Sequence, residues 1–248
     1  MTAFIAHYNT PNVTSAAVRS IDKNAKGIDR VVIFDSSDRD PFVAPETVSV
    51  GIDVVDNTSG KVIDFDEMLR GFPDKVARDA RISNYGSAKH CRSVQWFIDN
   101  TDEPFMLVDS DVLMKGDIRD FVVDDAVWSG QVFSAFNDEM GLCPYRVLPF
   151  LSFINVPLVR DSGVRYYNGE FMEMLSNNLP NKHYDTGAWF YRDCEERGLK
   201  GHRIKSLDPY IEHLGSASFS RRKKNMADSW LERNRSLWAP DALTVQIG

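Results

Sequence analysis

Along the first 118 residues, short apolar runs alternate with stretches whose apolar positions recur every three or four residues. Residues 3–8, 30–34 and 47–55 read as strands, and the uncharged run FMLV at 105–108 fits a strand buried on both faces. After the first strand, Thr10 and Pro11 read as the N-cap and first position of a helix, with Val13, Ala16, Ala17 and Ile21 on its inner face. GKVIDFDEMLRGF reads as a loop entering a short helix. A turn at Asn84 and Gly86, with Ser87 as cap, opens a further helix carrying Ala88, Cys91, Val94 and Ile98, which leads directly into the 105–108 strand. Strand and helix in this alternation predict a mostly parallel sheet covered on both faces.

Beyond residue 118 the pattern changes. Residues 127–136 alternate like a half-exposed strand, 148–156 form a dense apolar run, and 171–175 start a helix ending at Asn177 and Asn178. A loop with Pro180, Asn181 and His183 precedes a helix with Ala188, Phe190, Tyr191 and Cys194 inward and Gly198 as its C-cap. Residues 202–207 and 210–214 read as two short strands around the turn Asp208-Pro209, and from Ser216 the chain is polar and basic.

Composition narrows the class. A length of 248 residues suits one α/β domain. A net charge of -7 excludes nucleic-acid binding by the overall field, so a polyanionic ligand needs a local device such as a metal ion. Cys91, Cys143 and Cys194 are odd in number and in no metal-ligand spacing, which fits reduced thiols in a cytoplasmic protein. No apolar run reaches the about 18 residues of a membrane span, and the N-terminus lacks the pattern of an export signal.

The 105–108 strand delivers Asp109 and Asp111 at its C-terminal end, where open α/β sheets bind ligands. Two carboxylates one residue apart can hold Mn²⁺ or Mg²⁺ between themselves and the phosphate oxygens of a nucleotide. The same spacing also fits turn and cap residues. Asp35, after the second strand, fits either a nucleoside contact or a solvated turn.

HYNTP, VVIFDSS, NYGSAKH, LVDSDV, YDTGAWFYRDCEERG and IEHLG, in that order, resemble the nucleotide-sugar-dependent glycosyltransferases of the GT-A fold, closest to the family 2 group. The resemblance spans residues 4–221. It implies a single GT-A-like α/β domain with a Rossmann-like, mixed but mostly parallel sheet between helices. Residues 1–118 would form the nucleotide-sugar-binding half, 119–215 the acceptor-binding half and 216–248 a basic C-terminal segment. Tyr8 would stack on the nucleobase, Asp35 would accept a base N–H, and Thr10 would lie close by. Asn84, Gly86 and Lys89 would lie against ribose and phosphates, although the helix reads Cys91-Arg92 where the family usually shows Arg-Asn.

Asp109, Ser110 and Asp111 would form the donor and metal motif, Asp111 as the more direct ligand and Asp109 shared with the sugar and ribose. His213 would be a third metal ligand, which favours Mn²⁺ over Mg²⁺. Asp185 would be the base for the acceptor hydroxyl if transfer inverts the anomeric carbon. The start of a helix suits that carboxylate, but Asp185 or Thr186 equally suits a cap; Glu212 and Asp193 are the other candidates. Residues 150–155, including Asn155, and the aromatics Trp189 and Phe190 would shape the sugar and acceptor pocket. Arg221, Arg222, Lys223 and Lys224 read as a lid over the diphosphate, as a contact with an anionic membrane surface, or as a solvated basic loop.

The implied function is metal-dependent, inverting transfer of a sugar from a nucleoside-diphosphate sugar, a UDP-sugar favoured, to a hydroxyl of a glycan or lipid-linked acceptor. Its implied place is the cytoplasm or the inner membrane face. A dehalogenase-type phosphatase with Asp109 as nucleophile is the competing enzyme reading. That motif normally ends the first strand of its domain, whereas about a hundred residues precede it here, and Asp124-Asp125 follow too soon to close its site. A sugar-nucleotide-forming nucleotidyltransferase would want a Gly-rich basic loop where HYNTPNVT stands. A non-catalytic nucleotide-sugar-binding module has no need to keep Asp109, Asp111, Asp185 and His213 together.

Overall fold

The computed structural model describes residues 1–69, 85–137, 141–168, 185–215 and 221–240. Its main sheet has the strand order β3-β2-β1-β4-β7-β6-β8. The strands are β1 Thr2–His7, β2 Arg30–Asp35, β3 Gly51–Asp56, β4 Phe105–Val108, β6 Trp128–Asn137, β7 Gly141–Ile154 and β8 Gly201–Arg203. The first four run parallel, β8 runs parallel to β6, and β7 is antiparallel to both β4 and β6. Two short strands, β5 Val112–Met114 and β9 Ile211–His213, pair with each other in a second, antiparallel sheet.

Side chains that alternate along the parallel strands divide the core into two layers, as expected for a sheet buried on both faces. Phe4, Val32, Phe34, Phe105 and Leu107 face one layer; Ala3, Ile5, Val31, Ile33, Met106 and Val108 face the other. The first layer is closed by α2 (Tyr85–Asn100), α3 (Val156–Ser162) and α4 (Ala188–Glu196), through residues such as Phe97, Val159 and Phe190. There the Phe4 and Phe97 rings stack with centroids 4.5 Å apart. The second layer is closed by Val18 and Ile21 of α1 (Pro11–Asn24). Each such fully buried side chain contributes about 1.5–3 kcal/mol. Near the C-terminus, α5 (Arg221–Arg233) and the short α6 (Arg235–Trp238) follow, and Ala227, Trp230 and Leu231 of α5 pack with Val13 and Ala16 of α1.

Several boundaries differ from the sequence expectation for local reasons. Ladder pairing of β3 begins at Gly51, because Asp22 Oδ1 takes the N–H groups of Ser49 and Val50 (3.0 and 2.9 Å). The apolar run at 148–156 is split: β7 ends at Ile154, and Asn155 starts α3, its side chain accepting from Leu158 N. Thr10 precedes α1 but makes no side-chain cap bond. Gly86 and Ser87 belong to α2 itself. The helix expected at 171–175 and the loop with Pro180, Asn181 and His183 lie outside the described residues. No helix among the described residues is long and apolar enough to cross a membrane.

Candidate functional site

The chain leaves β4 at Val108, turns through Asp109, Ser110 and Asp111, and enters β5. Pairing of β5 with β9 sets Val112 opposite His213, and Leu214 N donates to the Asp111 carbonyl (3.1 Å). This register brings His213 Nε2 to 3.1 Å from Asp111 Oδ1. One ligand atom from each of Asp109, Asp111 and His213 then lies within 4.8 Å of the others. The His213 ring rests on Phe150, centroids 3.8 Å apart, and Asp109 N donates to the Phe150 carbonyl (3.2 Å). Burial pushes the Asp109 carboxyl above its ordinary range and the neighbouring Asp111 adds to this, while His90 and His213 oppose it. Two crowded carboxylates beside an imidazole are a donor set that a divalent cation relieves, and the nitrogen suits Mn²⁺ better than Mg²⁺.

A cavity of about 360 Å³ opens here. Strand order arranges its lining along the carboxyl edge of the sheet: Ser36 after β2, Tyr8 after β1, Asp109 after β4, then Phe150, Pro149 and Arg146 of β7. The polar stripe of α2 covers it with Gly86, Lys89, His90 and Ser93, at i, i+3, i+4 and i+7. Lys89 Nζ stands 4.5 Å from the Tyr8 ring centroid and 5.3 Å from that of Phe65. Burial lowers the pKa of Lys89, against the pull of Asp38 and Asp66.

Asn9, at φ 54, holds the loop beside Tyr8. Its side chain accepts from Arg39 N and Asp40 N (both 3.1 Å) and donates to Asp38 (2.5 Å). An asparagine tolerates this left-handed backbone better than most residues.

Asp185 lines the same cavity, and its oxygens are engaged. Arg146 Nη1 lies 2.6 Å from Oδ2, while Ser87 Oγ and Thr186 N donate to Oδ1 (2.5 and 2.7 Å). Gly187, at φ +82, lets this turn approach β7: a Cβ there would come 2.3 Å from the Val147 carbonyl.

The cavity therefore gathers Tyr8, Gly86, Lys89, Asp109, Ser110, Asp111, Asp185 and His213. Other expected residues are elsewhere. Asp35 is 2% exposed, and its carboxylate accepts from Ser37 N (2.9 Å) and Phe42 N (2.7 Å), which commits it to the loop rather than to a base. The Thr10 hydroxyl turns back to the Tyr8 carbonyl (3.5 Å). Asn155 sits at the far end of β7, where Ile154 pairs with the first residue of β4, and its amide donates to Asp124 O (3.0 Å). Of the fallback carboxylates, Glu212 pairs with Lys115 and Asp193 with Arg197. Asn84 and the side chain of Arg221 lie outside the described residues. The sequence reading missed His90, Ser87 as a partner of Asp185, and Arg146; the polar stripe of α2 was the available signal for the first two.

No protein-family model matches the chain, and no curated protein matches it by sequence. Solved structures match it by shape. The galactosyltransferase LgtC, in complex with donor and acceptor sugar analogues, superposes with a TM-score of 0.55 at 12% identity, over 98% of this chain and 98% of LgtC. This chain has the GT-A glycosyltransferase fold. An active-site mutant of LgtC gives 0.51 at 13% identity, over 92% and 96% of the two chains. Mouse xyloside xylosyltransferase 1, in its apo form, gives 0.50 at 12% identity, over 82% and 85%. Within the GT-A sheet, Asp109 follows the fourth strand in sequence and clusters with Asp111 and His213, an arrangement unlike a phosphatase nucleophile at the end of a first strand.

Proposed function

We propose that the protein is a metal-dependent glycosyltransferase that moves a sugar from a nucleoside-diphosphate sugar to a hydroxyl of a glycan or lipid-linked acceptor. The observation that carries this reading is the Asp109, Asp111 and His213 cluster at the carboxyl edge of the sheet, in one cavity with Tyr8 and Lys89. Fold likeness alone fixes no chemistry; the donor set argues for it. Asp109, Asp111 and His213 would hold Mn²⁺, or Mg²⁺, which when bound neutralises the departing diphosphate. Tyr8 and Lys89 would meet the nucleoside and its phosphates, with a UDP-sugar the favoured donor.

An inverting transfer of the family 2 type needs a base for the acceptor hydroxyl. Asp185, the cavity-lining carboxylate outside the candidate metal ligands, would take that role while sharing its oxygens with Arg146, Ser87 and Thr186 N.

Thermal unfolding with UDP, GDP and other nucleoside diphosphates, each with and without Mn²⁺, tests the reading. A ligand at 100 times its dissociation constant stabilises the fold by about 2.7 kcal/mol, a rise of several degrees. A rise that one nucleotide gives only with Mn²⁺ is the expected result, and no rise with any nucleotide overturns it. The anomeric configuration of the first-formed product, read by proton NMR, then tests inversion.

A further inference from the structure

Both ring nitrogens of His90 are buried without an aligned hydrogen bond. Its side chain is 16% exposed and lines the cavity. Nε2 lies 3.3 Å from Asp109 Oδ1, yet neither ring nitrogen makes an aligned hydrogen bond. A buried polar group left in this state is costly, and such groups are normally paired with protein or with something that arrives.

We propose that His90 binds a hydroxyl of the transferred sugar, an inference that rests on the glycosyltransferase reading. Placement supports it. The nucleoside belongs beside Tyr8 and Lys89, and the diphosphate beside Asp109, Asp111 and His213. The sugar is then left the ground bounded by Asp109, His90 and the group formed by Ser87, Asp185 and Arg146. Within that group the partners already bond one another. Two side chains there keep a buried nitrogen without a hydrogen-bond partner, Arg146 at Nε and His90 at both ring nitrogens, and His90 is the one that no other group of the cavity hydrogen-bonds.

The chemistry also fits a hydroxyl better than a phosphate. An imidazole offers an N–H donor, and a hydroxyl both accepts and donates. A sugar hydroxyl lying beside His90 and Asp109 could donate to the carboxylate and accept from the ring. A phosphate oxygen only accepts, so it has no hydrogen to give the Asp109 carboxylate.

The experiment compares full-length wild type, His90→Leu and His90→Gln by isothermal titration calorimetry in the presence of Mn²⁺. The probes are UDP with UDP-glucose and UDP-galactose, and GDP with GDP-mannose. The measured quantity is the ratio of the sugar-nucleotide dissociation constant to that of its nucleoside diphosphate. With His90→Leu the ratio should rise roughly tenfold, the loss of about one hydrogen bond, while the nucleoside diphosphate itself changes by less than about twofold. His90→Gln, which keeps a donor and an acceptor, should recover most of the loss.

Equal weakening of both ligands would overturn the proposal and make His90 a support for Asp109. An unchanged ratio with unchanged affinities would overturn it as well. If wild type binds no nucleoside diphosphate, the glycosyltransferase reading falls first, an outcome distinct from failure in the variants alone. Thermal unfolding of each variant shows whether it folds, and a misfolded Leu variant leaves the Gln variant to decide: a tenfold rise there despite its amide overturns the proposal, and a near-normal ratio upholds it.

Discussion

Asp111 is the more tightly held of the two carboxylates proposed to hold the metal: it is 5% exposed, touches His213, and its own carbonyl accepts from Leu214. Asp111→Asn keeps the size and removes the charge. It should abolish Mn²⁺-dependent nucleotide affinity and leave the unfolding temperature within a few degrees of wild type; unchanged Mn²⁺-dependent affinity by calorimetry would sink the metal assignment. Cys91 and Cys194 illustrate the opposite case, groups with no part in the chemistry. Both are buried, which pushes their thiols up to about 12. At pH 8 only about one thiol in ten thousand would be ionised, and the thiolate is the reactive form. Iodoacetamide should therefore spare both in the folded protein and label both in urea, as peptide mass spectrometry would show; rapid labelling of Cys91 in the folded chain would contradict this burial.

At the scale of elements, the small edge strand β8 depends on a residue without a side chain. A Cβ at Gly201 would come 2.2 Å from the indole of Trp128, itself 1% exposed. Gly201→Ala should cost about 1–3 kcal/mol, read as a lower unfolding temperature. Nucleotide affinity of the folded fraction should hold, since β8 lies three strands from β4.

The strands β1, β2 and β4 and the helix α1 were legible in the sequence because unbroken apolar runs and helical spacing survive any packing. β5 was not: VLM follows the Asp109 turn so closely that it reads as a continuation, and its partner β9 lies about a hundred residues on. That pairing is what carries His213 to Asp111. The triad was thus readable as residue types, while its geometry belongs to a tertiary ladder. Asp35 and Asn155 misled for a related reason. Which buried carboxylate or amide is consumed by nearby backbone groups depends on loop geometry, and composition does not encode that.

Taken whole, the molecule keeps its chemistry on one rim and its apolar mass elsewhere. Two core layers grip the sheet from both faces, and the candidate metal ligands lie beyond the end of β4. Chelation with EDTA should therefore erase nucleotide-induced stabilisation while changing the unfolding temperature of the ligand-free chain little; a large loss of unfolding temperature would instead make the metal part of the fold. The reversed strand β7 has a separate consequence. It meets β4 only from Leu151 to Ile154, while its pairing with β6 continues out to Gly141. The outer hairpin is thus a two-stranded ribbon reaching past the parallel core, and Arg146 is mounted on it. At the level of Arg146 the ladder partner of β7 is β6 alone, so a change in the twist of that ribbon would reach Asp185 through Arg146 before it disturbed Asp109 and Asp111 at the end of the parallel core.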